Sequence, residues 1–149
     1  MLDLTNDVIY ELLQRCDWGT LLVVDGNKPY GIEVSHYLSE GKIYFIISPR
    51  GKAGRCMEKN PHVAYKVCKA HLPQQRWSAA TVEGTVEQVR EPQAIRDAFM
   101  KLAERLNRDR ERYKKLGEKF SRKGETSPVY YLPIVTMSGK ASQNGFFVG

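Results

Sequence analysis

Apolar and polar positions alternate along this chain in two different periods. Residues 4 to 16 place Leu4, Val8, Leu12 and Leu13 on one helical stripe, with Ile9 and Cys16 beside it. Thr5 or Asn6 is positioned as the N-cap and Gly19 as the stop, so a short amphipathic helix opens the chain. The period then drops to two. Thr20-Leu21-Leu22-Val23-Val24 is a β-prone run that stops at Asp25-Gly26-Asn27, a hairpin signal because glycine tolerates positive φ. From Tyr30 to Leu38 apolar and polar residues alternate, with Ile32, Val34 and Leu38 on one face and Glu33, Ser35 and Tyr37 on the other. A turn at Ser39-Glu40-Gly41-Lys42 leads into Ile43–Ser48, the most β-prone stretch of the chain. These three strands read as an antiparallel meander.

Beyond the meander, Pro49–Arg55 reads as a basic, glycine-rich turn, followed by a short helical stretch through Lys59 and a stop at Asn60-Pro61. Strand character resumes over residues 62–68 and again over 76–89, where Gly84 suggests a bulge. Residues 90–123 return to helical spacing, with Pro92 in a first turn and Ile95, Phe99, Leu102, Leu106, Tyr113, Leu116 and Phe120 as the apolar series. The series falters at Asn107-Arg108-Asp109-Arg110, where a break or a second helix is expected. Val129–Val135 is the last strand, and Pro133 puts it at an edge or a bend. About six strands with few helices predict a mainly β, α+β fold: a small antiparallel β-barrel in one domain spanning residues 1–149.

Composition sharpens this picture in two places. The chain has 149 residues, 42% of them hydrophobic and 27% charged, which suits one globular core and disfavours disorder. No stretch approaches the roughly 18 apolar residues of a membrane helix, and the start lacks a signal-peptide pattern, so a cytoplasmic protein is expected. The net charge of +6 raises the question of nucleic acid. Residues 90–123 hold 12 Lys/Arg and 6 Asp/Glu, leaving 11 of each elsewhere, so the whole excess rides on the helical segment. Without an aromatic stacking platform, that segment reads as a solvated, ion-paired helix face rather than a nucleic-acid surface.

Catalytic motifs are scarce. Three widely spaced cysteines suit a reducing compartment. Cys68 and His71 form a lone C-x-x-H without the second pair of a zinc site. There is no G-x-S-x-G elbow, and Gly139-Lys140-Ala141 lacks the other residues of a P-loop. What stands out is the turn after the third strand. Arg50, Lys52 and Arg55 lie in a glycine-rich turn that opens a helix, and helix-start N–H groups beside a cation suit a phosphate. An ordinary exposed basic turn has the same spacing.

With these elements in order, the sequence resembles the pyridoxamine 5'-phosphate oxidase-like FMN-binding split barrels, closest to the branch of the nitroimidazole reductases. The resemblance is carried by Trp18-Gly19-Thr20-Leu21, Pro29–Ser35, Gly41–Phe45, Gly51-Lys52 with Asn60-Pro61, Arg76-Trp77-Ser78 with Val82-Glu83-Gly84, and Met137–Ala141. It implies a six-stranded antiparallel split β-barrel that binds FMN as a homodimer with two sites at the subunit interface. Glu33, Val34 and Ser35 would then lie along the isoalloxazine and ribityl chain. Ile46, Ile47 and Ser48 would line the cofactor, and Lys52 with Ala53 would hold the phosphate. Trp77 and Ser78 would come from the other subunit, with Lys140 nearby. Two departures stand out: Ala53 replaces a second basic residue, with Arg50 or Arg55 placed to compensate, and Ile46 replaces the histidine of nitroimidazole reductases. The second touches nitroimidazole reduction and leaves flavin binding intact. The implied function is an FMN-dependent oxidoreductase acting on a small planar acceptor. The alternative is a non-catalytic module that stores or senses flavin, or binds haem or a deazaflavin.

Overall fold

The computed structural model describes residues 1–143 and 149. Strand β1 (Leu2–Asp3) precedes helix α1 (Asn6–Arg15), which Thr5 caps by accepting the Val8 N–H at 3.4 Å. The meander follows as β2 (Trp18–Asp25), β3 (Lys28–Ser39) and β4 (Lys42–Ile46), then helix α2 (Lys52–Lys59). Next come β5 (His62–His71), β6 (Arg76–Thr85) and β7 (Glu87–Gln88). Helices α3 (Pro92–Leu106) and α4 (Arg110–Ser121) form a hairpin, and β8 (Val129–Pro133) and β9 (Thr136–Ala141) end the described fold. All strand pairs are antiparallel, in the order β1-β9-β6-β5-β2-β3-β4-β8-β7.

The mainly β, α+β class holds, but nine strand segments replace the six expected. One of the three extra segments arises where the run over residues 76–89 breaks at a corner of the barrel; the other two, β1 and β9, lie where no strand was expected. β6 runs into β7 across Val86, whose N–H turns to the Pro61 carbonyl at 2.9 Å. β8 runs into β9 across Ile134 and Val135, with the Ile134 N–H donating to Gly41 at 2.9 Å. Because β6 pairs with β9 and β7 with β8, both ribbons pass from one sheet to the other and close the barrel. β3 turns the opposite corner, pairing with β2 over Lys28–Ser35 and with β4 over His36–Ser39.

Other expectations need correction. Helix α1 ends at Arg15, so Gly19 is not its stop but a strand residue under which Tyr65 packs; an added Cβ would lie 2.8 Å from the Tyr65 ring. Gly84 is no bulge, since it pairs in unbroken register with Val63; the ribbon breaks at Val86 instead. α2 begins at Lys52, so Ala53, Gly54 and Arg55 are helix rather than turn. The β-segments at Leu2–Asp3 and Thr136–Ala141 carry no strong period of their own and form only by pairing with each other and with β6. The helical break is where the sequence puts it: Asn107 takes φ 52° and Asp109 caps α4 by accepting the Arg112 N–H.

Two cores follow from the alternation. Inward residues of the strands, including Leu21, Val34, Phe45, Tyr65, Val82 and Leu132, fill the barrel together with Ile9, Leu12 and Leu13 of α1 and Ala53, Cys56 and Met57 of α2. Outward residues of the β3-β4-β8 corner form the second core, where Tyr37, Ile46 and Val129 meet Ile95, Phe99 and Leu102 of α3. Tyr37 does share a face with Glu33 and Ser35, but α3 covers it, so it is buried. Arg105 of α3 ties the layers together, donating to the Gln14 and Cys16 carbonyls at the end of α1 at 2.7 and 2.6 Å.

Candidate functional site

The split in the barrel is a consequence of strand register. The β2–β3 turn has two residues, so Asp25 and Lys28 exchange both backbone hydrogen bonds and the parity of the ladder follows. The bond from the His36 N–H to the Asp17 carbonyl, 3.1 Å, keeps that parity. The N–H and C=O groups of Gly31 and Glu33 therefore point away from β2. On that side β4 pairs only as far as His36, so among the described residues no strand covers β3 from Tyr30 to Val34. An open backbone edge is a set of hydrogen-bonding groups awaiting a partner.

β4 leaves this edge at Ile46. The Ile47 N–H turns to the Pro128 carbonyl (2.9 Å), and Ser48 is exposed, accepting the Arg50 N–H on its Oγ at 3.3 Å. The chain then enters α2 through Gly51. This helix start differs from those of α1, α3 and α4, because no side chain caps it, whereas Thr5, Glu91 and Asp109 cap the other three. Its leading N–H groups are left for solvent or a ligand, with the helix dipole favouring an anion. Gly54 is required here by close approach: a Cβ would lie 2.5 Å from the Ser48 carbonyl oxygen and 2.6 Å from Pro49.

Lys52 stands at this helix start. Its ammonium lies 3.6 Å from the Asp25 carboxylate and 4.2 Å over the Tyr30 ring, with about half of each charged side chain in solvent. The residues that sequence reasoning missed are these two partners, Asp25 and Tyr30. Both flank the hairpin turn, and the two-residue register puts them next to each other's strand ends; only the path of the Ile47–Gly51 segment brings Lys52 to them.

The other expected site residues are distributed as follows. Val34 is buried, and Ser35 is half-buried opposite Trp18. Glu33 is exposed, and its carboxylate accepts the Thr20 hydroxyl at 2.8 and 3.0 Å. Ala53 faces the barrel core, so only its backbone N–H is available to a ligand. Ile46 packs on the second core and Ile47 on the first. Within one chain, Glu33–Ser35, Ile46–Ser48 and Lys52–Ala53 thus follow one another along the open edge and its flank.

Trp77, Ser78 and Lys140 stand apart from that group. Ser78 pairs with Lys69, three positions past the Lys66–Thr20 pair, which puts it beyond the Trp18 end of β2. Lys52 is at the Asp25 end, roughly 26 Å away along the strand at 3.3 Å per residue. The Trp77 N–H donates to Ser142 Oγ at 3.1 Å, and Ser78 is fully buried. Lys140 pairs with Asp3, and that contact holds the Asp3 carboxyl below its ordinary value.

Directly beneath the open edge lies a buried polar pair. His36 is fully enclosed; its Nε2 is 2.8 Å from the Leu13 carbonyl and its Nδ1 2.6 Å from the Tyr65 hydroxyl. A carbonyl only accepts, so Nε2–H donates to it, and the neutral ring's Nδ1 accepts a hydrogen bond from the Tyr65 hydroxyl. The Tyr65 oxygen is also 3.1 Å from the Val34 carbonyl. Burial pulls the His36 pKa down to about 4 and raises that of Tyr65 above its ordinary value. Both rings are therefore neutral at pH 7 and act as a spacer that holds β3 against α1 and β5.

The same architecture recurs among solved structures. An FAD-binding protein from Mesorhizobium loti superposes with a TM-score of 0.71 at 20% identity, covering 95% of this chain and 97% of that one. A putative 5-nitroimidazole antibiotic resistance protein from Bacteroides thetaiotaomicron gives 0.74 at 16% identity, covering 94% and 87%. An FAD and heme binding protein from Mycobacterium smegmatis gives 0.74 at 18%, covering 97% and 74%. At these identities the likeness is one of fold. No curated protein sequence matches the chain. The family model described as pyridoxamine 5'-phosphate oxidase matches residues 5–141, nearly the whole barrel with both of its cores. The chain belongs to the pyridoxamine 5'-phosphate oxidase-like family.

Proposed function

We propose that this protein binds a flavin, FMN in the first instance, along the open edge of β3, and acts as an oxidoreductase on a small planar acceptor. The observation that carries the reading is the uncapped start of α2 with Lys52 beside it, at the end of an unpaired backbone edge. The donor set fits the group. A phosphate suits the α2 N–H groups and the Lys52 ammonium. The flavin's ring nitrogens and carbonyls suit the exposed N–H and C=O groups of Gly31 and Glu33. A bound flavin supplies the electron transfer, and the chain supplies position, charge and exclusion of water. Lys52 exchanges its Asp25 contact for the phosphate. Relatives in fold that are named for FAD, for FAD and heme, and for nitroimidazole resistance support a redox cofactor of this class.

The site is proposed to be shared between two copies of the chain. The outward face of β2, β5 and β6 carries Trp18, 59% exposed, with Leu22, Val24, Ala64, Trp77 and Ala79, and no helix of the described residues packs on it. A second barrel docked there would hide apolar surface and bring its own Trp77 and Ser78 toward the edge of the first.

The test is direct. Freshly purified protein should carry a yellow chromophore, or take up FMN on titration after its removal. Colourless protein that binds no FMN overturns the reading. A second reading, flavin storage or sensing without turnover, is favoured by the Glu33 carboxylate being held by Thr20, which leaves the edge without a free acid or base among the residues proposed for it. Bound flavin that NAD(P)H does not reduce in the presence of an acceptor would select it.

A further inference from the structure

A cleft of about 410 Å3 lies between α2 and the segments that lead into and out of the α3–α4 hairpin. Neither Lys52 nor any residue of β3 lines it. Its floor is apolar: Met57 and Val86 are buried, and the Tyr130 ring stacks on Phe45 of the barrel core with centroids 5.9 Å apart. Tyr130 is only 6% exposed, yet among the described residues its hydroxyl meets no hydrogen-bond partner. A buried phenol ordinarily has one. Burial raises the Tyr130 pKa, the Glu58 carboxylate raises it further and the Arg90 guanidinium lowers it, so the hydroxyl is protonated and feels both charges. Arg50 and Glu58 belong to the turn and helix on the α2 side, Arg90 and Glu125 to the chain facing them. That second wall is closed by Gly124, packed on the Arg90 carbonyl, and by Gln88, whose Nε2 donates to the Ser127 carbonyl at 2.7 Å. Each wall thus carries one cation and one carboxylate. Among the described residues none of the four is within 4.0 Å of an opposite charge, although Lys52, Arg105, Arg15 and Lys140 form such pairs elsewhere.

An anion alone would face two carboxylates here, and a cation alone two guanidinium groups, so neither is matched. A small molecule that carries both charges on an apolar body is matched. We propose that this cleft binds a zwitterion of the amino-acid class with an apolar side chain, its carboxylate on Arg50 and Arg90 and its ammonium on Glu58 and Glu125. Guanidinium groups hold a carboxylate by charge-assisted hydrogen bonds, and the Tyr130 hydroxyl donates one more. The apolar side chain rests on Met57 and Val86, which hides it from water. An apolar floor with a few convergent polar groups, at this volume, is the ordinary form of a small-ligand site. Two sources share the chemistry, a free amino acid and a dipeptide. The inference does not rest on flavin binding, since none of the groups it uses lies on the β3 edge.

The experiment titrates the full-length protein calorimetrically with leucine, methionine, phenylalanine and leucyl-leucine, and with the Nα-acetylated and C-amidated form of each. At least one zwitterion is expected to bind, and blocking either of its charges to lower the affinity by on the order of tenfold or more. Glu58→Gln and Arg90→Gln change exposed side chains, and Tyr130→Phe removes only the hydroxyl while keeping the ring on Phe45. Each should weaken the zwitterion, whereas Lys59→Gln, exposed on the same helix and outside the cleft, should change it little. Glu58→Gln should also narrow the difference between the free amine and its acetylated form, and Arg90→Gln that between the acid and its amide. Tighter binding of leucine than of leucyl-leucine identifies a free amino acid, and the reverse order a peptide. Wild type that binds none of the zwitterions, blocked forms that bind as tightly as free ones, or cleft variants no weaker than Lys59→Gln overturn the proposal. FMN titration of the same wild-type sample reports separately on the flavin groove.

Discussion

Single side chains decide the chemistry of the candidate groove, and Lys52 is the one on which it depends most. Replacing Lys52 with Ala removes the cation at the α2 start without touching the core, since the side chain is half in solvent. FMN affinity should fall by on the order of tenfold or more, as expected for one charge-assisted phosphate contact. Equilibrium titration checks this, and unchanged affinity would dissociate Lys52 from the site. Asp25→Asn should act in the opposite direction, freeing the ammonium for an anion. His36 makes a different prediction. Its folded pKa, about 4, lies below the 6.5 of the unfolded chain, so the unfolded state binds more protons between those values. Stability is therefore full above pH 6.5 and falls as pH drops toward 4, by up to about 3 kcal/mol. Urea unfolding at pH 7 and pH 5 measures the slope. In His36→Gln the slope should flatten even though the variant is less stable at pH 7.

At the scale of elements, the short helix α2 and the turn before it behave as one unit. Ala53, Cys56 and Met57 anchor α2 in the barrel, and Gly54 lets its backbone lie against Ser48 and Pro49. A Gly54→Ala substitution cannot be absorbed by rotating a side chain, because the atoms it meets are backbone. It should cost about 1–3 kcal/mol, as overpacking does. It should also displace the Ser48–Gly51 turn and lower FMN affinity more than its effect on stability would suggest. Thermal melting and FMN titration on the same variant separate the two effects. The β3–β4 turn shows the converse, a demand the sequence meets openly. Glu40 and Gly41 both take positive φ, 51° and 73°, which is the type I′ geometry suited to a two-residue hairpin.

At the scale of the whole molecule, net positive charge is segregated. The basic excess rides on the α3–α4 hairpin, which covers the β3-β4-β8 corner, while the outward face of β2, β5 and β6 mixes Trp18, Leu22, Val24, Trp77 and Ala79 with Thr20, Lys66, Thr81 and Glu83. The proposed dimer predicts a solution mass of about twice 17.0 kDa. Trp18→Glu puts a charge in that face and should yield monomers with weakened FMN binding, as measured by sedimentation and titration. A wild-type monomer that binds FMN fully would show that one barrel is enough. No helix of the described residues is long and apolar enough to cross a membrane.

Much of this architecture was legible in the chain itself. Periods of two and 3.6, turn chemistry at Asp25-Gly26, the polar break at Asn107-Arg108-Asp109-Arg110 and an N-cap at Thr5 or Asn6 determined which segments become strands and helices and where most of them stop. Those are local matters, settled by steric and hydrogen-bonding preferences within a few residues. The order of motifs likewise pointed to the family. Tertiary structure alone decided the rest. It broke the expected run over residues 76–89 at Val86 and recruited Leu2–Asp3 and Thr136–Ala141 into the sheet, so that six runs became nine segments. It also buried Tyr37 on a face that carries Glu33, because α3 returns to cover one half of that face and not the other. The candidate site follows the same division. Lys52 stands out in the sequence as a cation at a helix start, but Asp25, Tyr30 and the unpaired edge of β3 become its surroundings only when β4 departs at Ile46. Local preferences set the elements; which edges and faces remain uncovered depends on contacts between residues far apart in the chain, and the proposed ligand sites lie on those uncovered surfaces.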